Sequence, residues 1–191
     1  MKKILVIIAA VTCFIASNAM AVPISGSVNF VGGSSYLDAS GAITNNLADA
    51  TGIHFLIGFT MIGGTGNYAS VPAFITPVAF TDFYFSPTLS PTPVNPLWSF
   101  TPYFSNTNYS FVMDSVTYSV SGSSLTINGS GLLHIDGFDD TLGNWIFTTQ
   151  GDQTVGSFSA TSAPVPEPGT LLLLGSGLVG MFSYGRRRMK G

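Results

Sequence analysis

Two histidines and eight aspartates are the candidates for acid–base or metal chemistry in the central part of the chain. Residues 22–166, here called the body, contain His54 and His134 but no Glu, Lys, Arg or Cys. A Ser-His-Asp triad could be assembled because serine is plentiful, yet no G-x-S-x-G sequence occurs and both histidines lie in apolar, strand-like stretches. Adjacent Asp139 and Asp140 would point to opposite faces of a strand, which does not suit a glycosidase pair. We therefore predict structural histidines, no catalytic residue and no enzymatic activity.

One acidic turn has the residue types that a hard cation prefers. Asp136, Asp139 and Asp140 are close in sequence to each other and to Asn144, and clustered oxygen donors suit Ca²⁺. The stretch lacks the D-x-[DN]-x-[DN]-G spacing and closing Glu of an EF-hand. Two distant histidines without cysteine argue against zinc. The sequence predicts no resident cofactor, with calcium at these three aspartates as the alternative to a solvated acidic turn.

The charge of the body restricts its partners. All six basic residues lie near the two ends of the chain, so the eight aspartates of the body face no Lys or Arg and give it a net charge of −8. Nucleic-acid binding rests on cations that meet phosphate, and the body has none. An anionic polysaccharide would be repelled unless divalent cations bridged the two surfaces.

Alternating apolar residues predict an all-β body. Strand candidates of period two recur every eight to twelve residues between Gly, Asn and Asp; they cover 53–61, 79–85, 109–120, 125–127, 132–135, 145–149 and 155–160. Asn128-Gly129 reads as a hairpin turn, and residues 47–50 as a short helical turn. We expect one antiparallel β-sandwich domain over residues 22–161, of jelly-roll or Ig-like type.

A proline-rich stretch interrupts this pattern. Residues 86–102 contain five prolines, a density that predicts a long surface loop and excludes a central strand. Its aromatic residues, Trp98 and Phe100 with the adjacent Tyr103, could stack on sugar rings if exposed, and core packing is the alternative.

The N-terminus has the three parts of a secretory signal peptide. Lys2 and Lys3 precede an apolar run over residues 4–16, and Ala19-Met20-Ala21 fits the small-x-small cleavage rule. We predict a signal peptide over residues 1–21, cleaved after Ala21, with an uncleaved membrane anchor as the alternative.

The C-terminus combines a proline motif, an apolar span and a basic end. Pro166-Glu167-Pro168 closes a linker over residues 162–168, the span covers 169–185, and Arg186, Arg187 and Arg188 lie in the tail 186–191. Seventeen residues make about 26 Å of helix, at the short end for a bilayer core of about 30 Å. Under the positive-inside rule the basic tail stays in the cytoplasm, so we predict a single transmembrane helix with the body outside.

These C-terminal residues resemble the PEP-CTERM sorting domain of Gram-negative bacteria. The resemblance covers about the last twenty-six residues and includes all three parts in order. It implies recognition by an exosortase, a membrane-embedded transpeptidase that cuts near Pro166, Glu167 and Pro168, with Arg186 to Arg188 as the basic stop signal. A plain tail-anchored protein is the alternative.

Taken together, the ends and the body predict a protein that passes through the inner membrane to the cell surface or extracellular matrix. We expect a structural or adhesive component of an exopolysaccharide or biofilm layer, whose partners are exosortase, the inner membrane before processing and exopolysaccharide. The alternatives are a secreted hydrolase acting on matrix polysaccharide and a self-assembling surface scaffold.

Overall fold

A computed structural model describes residues 22–150 and 153–162, with side chains over residues 22–149. This part of the chain contains eleven strands, two 3₁₀ turns and no α-helix, which confirms the predicted all-β class. The strands are β1 (Gly26–Leu37), β2 (Ile43–Thr44), β3 (Gly52–Phe55), β4 (Thr60–Gly64), β5 (Ala79–Phe80), β6 (Phe83–Tyr84), β7 (Val94–Phe100), β8 (Tyr109–Ser121), β9 (Ser124–Ile135), β10 (Thr141–Gln150) and β11 (Gln153–Ser162). The 3₁₀ turns are Leu47–Asp49, at the predicted helical turn, and Gly66–Tyr68.

Five consecutive strands form an antiparallel meander. The strands pair in chain order, β7 with β8, β8 with β9, β9 with β10 and β10 with β11. The β8–β9 hairpin closes through Gly122-Ser123, and Gly122 has a φ of 60°, as a tight two-residue turn requires at this position. Jelly-roll and Ig-like sandwiches use Greek-key connections. The meander order therefore does not confirm either predicted sandwich type.

The larger of two antiparallel sheets curls until its ends meet. Its order is β5-β7-β8-β9-β10-β11-β1, and β4 pairs with the first half of β1. The segment just before β5 bonds to β4, because Val78 N donates to Phe59 O at 3.0 Å and Met61 N donates to Thr76 O at 3.2 Å. This closure leaves few unpaired backbone groups on which another chain could add a strand.

The smaller sheet is built on the second half of β1. Residues Ser34 to Leu37 pair with β3, β2 pairs with the end of β1, and β3 pairs with β6. Because β1 contributes its two halves to the two sheets, it joins them into one body around a shared core.

Aromatic side chains dominate that core. The ring of Phe30 lies 5.1 Å from Trp98, 5.6 Å from Phe80 and 5.9 Å from Phe100. Along β10 the inward side chains Trp145 and Phe147 alternate with outward Asn144 and Ile146, as strand geometry dictates. Each fully buried large apolar side chain contributes about 1.5–3 kcal/mol, so no disulfide is needed for a core of this size.

The predicted turn at Asn128-Gly129 is wrong. Both residues lie in the middle of β9, where Asn128 pairs with Thr117 and Ile146, and Gly129 pairs with Val116 and Trp145. Glycine is needed here for space, because a Cβ on Gly129 would lie 2.5 Å from the Met113 sulfur. Gly129 is therefore explained by the close approach of the buried side chains Met113 and Trp145, and it does not form a turn.

Two strand predictions merge elements that the structure separates. The stretch 53–61 breaks at Gly58, whose φ is 105°, so its halves become β3 and β4. The stretch 79–85 breaks at Thr81-Asp82, and its halves β5 and β6 pair with β7 and β3 respectively. Asp82 accounts for this second break, because its carboxylate accepts a hydrogen bond from the Phe55 backbone N at 2.8 Å.

The proline-rich stretch was predicted to be a loop, and its second half is instead strand β7 inside the sheet. The pairing of β7 with β8 skips from Val94 to Trp98, and β5 pairs only with Trp98 and Ser99. Pro96 therefore lies where neither neighbour needs its missing N–H. A strand can contain proline at such an irregularity, which the proline count alone did not reveal.

Candidate functional site

The loop between β9 and β10 contains the acidic turn singled out in the sequence. Asp136 Oδ2 accepts from both the backbone N and the Nδ2 of Asn108, each at 2.8 Å. His134 bridges two carboxylates, with Nδ1 at 2.7 Å from Asp140 Oδ1 and Nε2 at 3.4 Å from Asp136 Oδ1. The backbone of Asp139 bonds instead to the start of the body, donating from N to Val22 O at 3.1 Å. The loop thus joins the β7–β8 connection to the N-terminal residues of the body.

These contacts perturb two titrations in opposite directions. The hydrogen bond that His134 donates to Asp140 raises the pKa of His134, and Asp136 adds to the effect. The Asn108 backbone N–H lowers the pKa of Asp136, and the Asn108 side chain and His134 act in the same direction. Both side chains are about half exposed, so water screens the ion pairs and their contribution to stability is small.

The three aspartates predicted to bind calcium do not converge. Two of the carboxylates are engaged with His134 and Asn108, as given above, and within residues 22–149 no group of three or more His, Cys, Asp or Glu side chains lies close enough together to hold a metal ion. Calcium binding at Asp136, Asp139 and Asp140 stays a prediction that a titration must test.

His54 forms the second histidine–aspartate pair. Its Nδ1 lies 2.6 Å from Asp82 Oδ2, and about one third of the His54 side chain is exposed. This is the geometry of the orienting half of a catalytic triad. In the part of the chain with described side chains, no serine hydroxyl hydrogen-bonds to His54 or His134. The pair links β3 to the β5–β6 connection.

Two of the three aromatic residues offered for sugar stacking are in the core. Trp98 is 0% and Phe100 5% exposed, and their rings stack 5.8 Å apart. A ligand outside the protein cannot reach them, so the stacking prediction is wrong for these two residues. Tyr103 is 72% exposed and Phe104 beside it 84%. The sequence could not distinguish the buried from the exposed aromatic residues, because all four lie within seven residues of each other.

An uncharged groove of about 560 Å³ lies between the first half of the proline-rich stretch and the outer half of β8. Its wall contains the rings of Phe85 and Tyr118, whose centroids are 4.7 Å apart, and Tyr118 is 47% exposed. The Tyr118 hydroxyl donates to Ser86 Oγ at 3.3 Å. The rest of the lining combines hydroxyl groups with apolar side chains: Thr88, Thr92, Ser115 and Thr117, and Pro87, Leu89 and Val116. Sequence reasoning missed this site, because its two walls are about thirty residues apart in the chain.

A second groove of about 580 Å³ is mainly apolar. It lies at the β3–β4 connection, where Leu56 and Ile57 are exposed above the buried Phe59. It carries no charged group or hydrogen-bonding cluster that would indicate a reaction.

The predicted processing residues lie outside the described part of the chain. These are Ala19 and Ala21, Pro166 to Pro168, the span 169–185 and Arg186 to Arg188. Among the residues that the structure does describe, no helix has the length and apolar character to cross a membrane.

Comparison with protein families gives one match. Residues 164–188 match the PEP-CTERM protein-sorting motif. The matched residues contain the proline motif, the apolar span and the arginines, and they begin two residues after β11 ends. The motif indicates an exported protein with a membrane-anchored C-terminal sorting signal, and it implies processing by an exosortase. No curated protein and no solved structure matches this chain.

Proposed function

We propose that this chain, which carries a PEP-CTERM protein-sorting motif at residues 164–188, is a non-enzymatic structural or adhesive component of the cell surface or of an exopolysaccharide matrix. Signal peptidase removes residues 1–21, the apolar span holds the protein in the inner membrane, and an exosortase cuts near Pro166 to Pro168. The exported product is then one β-sandwich domain. The motif match is the observation that carries this proposal.

The described part of the chain supports export in this form. Its aromatic core folds without a disulfide, and it has no Lys or Arg that could hold it to phosphate polymers. Since β11 ends at Ser162, only a few residues separate the folded body from the motif.

Intact-mass spectrometry of the protein from its native host tests the processing. The expected mass lacks residues 1–21 and everything C-terminal to the cut near Pro166 to Pro168. Glu167→Ala should leave the full C-terminus in place, whereas Asp114→Ala, an exposed change in the body, should be processed normally. A surface protein that retains Arg186 to Arg188 in a strain with exosortase would contradict the proposal.

For the adhesive role we propose the uncharged groove as the binding site, with a neutral glycan as its ligand. A sugar ring can stack on the exposed face of Tyr118, and the surrounding Ser and Thr hydroxyls can bond to sugar hydroxyls. The eight aspartates of the body disfavour an anionic polymer, whereas every side chain that lines this groove is uncharged.

Co-sedimentation with cellulose and titration with dextran test this site. Tyr118→Ala should weaken binding at least tenfold. Tyr103→Ala is the matched control, since it removes an exposed tyrosine elsewhere and should change affinity less than twofold. Equal loss in both variants would contradict the assignment of the groove, and so would failure to bind any neutral glycan on an array.

The hydrolase alternative rests on one observation, the 2.6 Å His54–Asp82 pair. It predicts release of reducing sugar from the polysaccharide of the host, abolished in His54→Ala. No release by the native protein would exclude this alternative.

A further inference from the structure

Three parts of the body meet at the end from which the C-terminal tail leaves. In an antiparallel meander every second connection lies at the same end, so the β7–β8 and β9–β10 loops share the end at which β11 stops. Contacts confirm this: Asn108 N donates to Asp136 Oδ2 across the two loops, and Gly26 pairs with Ser162. We call this end, comprising residues 101–108, 136–141 and Ser162, the tail end.

The β7–β8 loop presents two aromatic side chains at the tail end. Tyr103 and Phe104 are 72% and 84% exposed, although the loop around them is held by its own hydrogen bonds. Thr101 Oγ1 donates to Asn108 Oδ1 at 2.7 Å across its base, and Ser105 N donates to Pro102 O at 3.0 Å. Pro102 itself is buried. The loop therefore holds two large rings in water, side by side, at the end of the body from which the tail leaves.

The length of the chain beyond Ser162 limits how far this end can be from the membrane. Seven Cα–Cα steps separate Ser162 from Gly169, where the apolar span begins. Even fully extended they reach at most about 25 Å. While the span is in the bilayer, the tail end must therefore stay within about 25 Å of the membrane surface.

We propose that the tail end rests on the outer surface of the inner membrane before processing, with Tyr103 and Phe104 inserted at the level of the headgroups. This inference rests on the anchored intermediate of the proposed function. Tyr and Trp are enriched at this level of a bilayer because their rings are amphipathic, and the ring of Phe104 adds apolar area beside Tyr103. The consequence is that Pro166 to Pro168 are held close to the membrane, where a membrane-embedded protease can reach them.

The charge of the tail end determines which lipid headgroups it can contact. Asp136, Asp139 and Asp140 are all exposed there, and the described side chains of the body include no Lys or Arg to offset them. Anionic headgroups would be repelled, so the surface fits zwitterionic lipids, above all those that present an ammonium group. Tyr118, in the uncharged groove, is nine residues after Tyr109 in β8. The groove therefore lies about 30 Å from the tail end, on the side away from the membrane.

Fluorescence quenching in nanodiscs tests the orientation. The full chain is assembled at one copy per disc in phosphatidylcholine and phosphatidylethanolamine, with and without brominated acyl chains. Phe104→Trp should be quenched at least threefold more than the matched variant Tyr118→Trp. Native Trp98 and Trp145 are fully buried and give a constant background, which the wild-type chain measures. Tyr103→Trp is the second probe and should behave like Phe104→Trp.

Each outcome decides a different statement. Equal quenching at positions 104 and 118, or none at either, in a chain that is stably incorporated would overturn the proposed contact and leave the sorting proposal intact. A chain that does not enter the discs would overturn the anchored intermediate and this inference with it. Replacing one third of the lipid with phosphatidylglycerol should reduce the quenching at position 104 at least twofold. Unchanged quenching would overturn the lipid preference.

Discussion

Replacing Gly131 by alanine tests the pairing of β8 with β9, on which the tail end and the groove both depend. Strand β8 has an extra residue, Asp114, between Met113 and Ser115, which pair with Gly131 and Ser130. At this irregularity the Val112 carbonyl turns toward Gly131. A Cβ on Gly131 would lie 1.9 Å from the Val112 oxygen and 2.9 Å from its carbonyl carbon. The obstacle is backbone, which cannot rotate away as a side chain can.

The expected cost follows from this geometry. Overpacking a tight site costs about 1–3 kcal/mol, and the upper end applies because two paired strands must move apart. For a body of this size 1 kcal/mol corresponds to about 3 °C, so Gly131→Ala should lower the melting temperature by about 9 °C. Gly63→Ala is the matched control in β4, since its Cβ would meet nothing within 4 Å. It should be neutral or stabilise by about 0.5 kcal/mol.

Urea unfolding of the full chain in detergent, followed by tryptophan emission, measures both variants. The signal is suitable because Trp98 and Trp145 are fully buried and become exposed on unfolding. A Gly131→Ala variant as stable as wild type would refute the register of β8 against β9. Equal destabilisation in Gly131→Ala and Gly63→Ala would show that the loss is not specific to the close contact.

Three further predictions concern the core and the acidic loop. Trp98→Phe should lower the free energy of unfolding in urea by less than about 1.5 kcal/mol, because the buried indole N–H has no hydrogen-bond partner among the described residues. A decrease of more than about 3 kcal/mol would contradict this prediction. His134→Gln should reduce the unfolding free energy at pH 5 by less than about 1 kcal/mol and leave it unchanged at pH 8. Because the pKa of His134 is raised, its contribution to stability is fully present below pH 6.5 and is lost as the pH rises through the raised pKa. A larger loss of unfolding free energy at pH 8 than at pH 5 would contradict this prediction. If the acidic loop binds calcium, as the alternative hypothesis holds, millimolar Ca²⁺ raises the melting temperature of wild type but not of Asp140→Asn; calorimetry without a shift in wild type would exclude this hypothesis.

Several features of the fold were predictable because they depend on local pattern. The long period-two runs over residues 109–120 and 145–149 lie within β8 and β10. The short turn at residues 47–49 forms as expected, with the Asn46 side chain accepting from Ala48 N at 3.1 Å. The alternation within each run identifies the strand, although its hydrogen bonds come from neighbouring strands, whereas the 3₁₀ turn is held by a local contact. Both histidines lie on strands, as the apolar pattern around them predicts: His54 on β3 and His134 on β9.

Other features depend on which segments pair, and a local pattern does not contain this information. Asn128-Gly129 has the composition of a turn, but Gly129 lies under Met113 and Trp145 and continues the strand. Pro96 occurs in a strand because both neighbours leave its position unpaired. Val116, Tyr118 and Val120 lie on one face of the long run 109–120. Val116 packs against the core, whereas Tyr118 and Val120 are about half exposed and Tyr118 forms a wall of the groove.

The sequence by itself determined the all-β class, the absence of fixed positive charge from the body and the sorting address at residues 164–188. These properties depend on residue counts or on contiguous stretches of sequence, so they do not change with the way the chain folds. Only the tertiary structure decided that Trp98 is buried while Phe104 is exposed, and that β11 ends at the same end of the body as the loop of Phe104 and far from Tyr118. The physical reason is that a side chain's exposure, and its distance from a terminus, are set by strand pairings between residues distant in sequence.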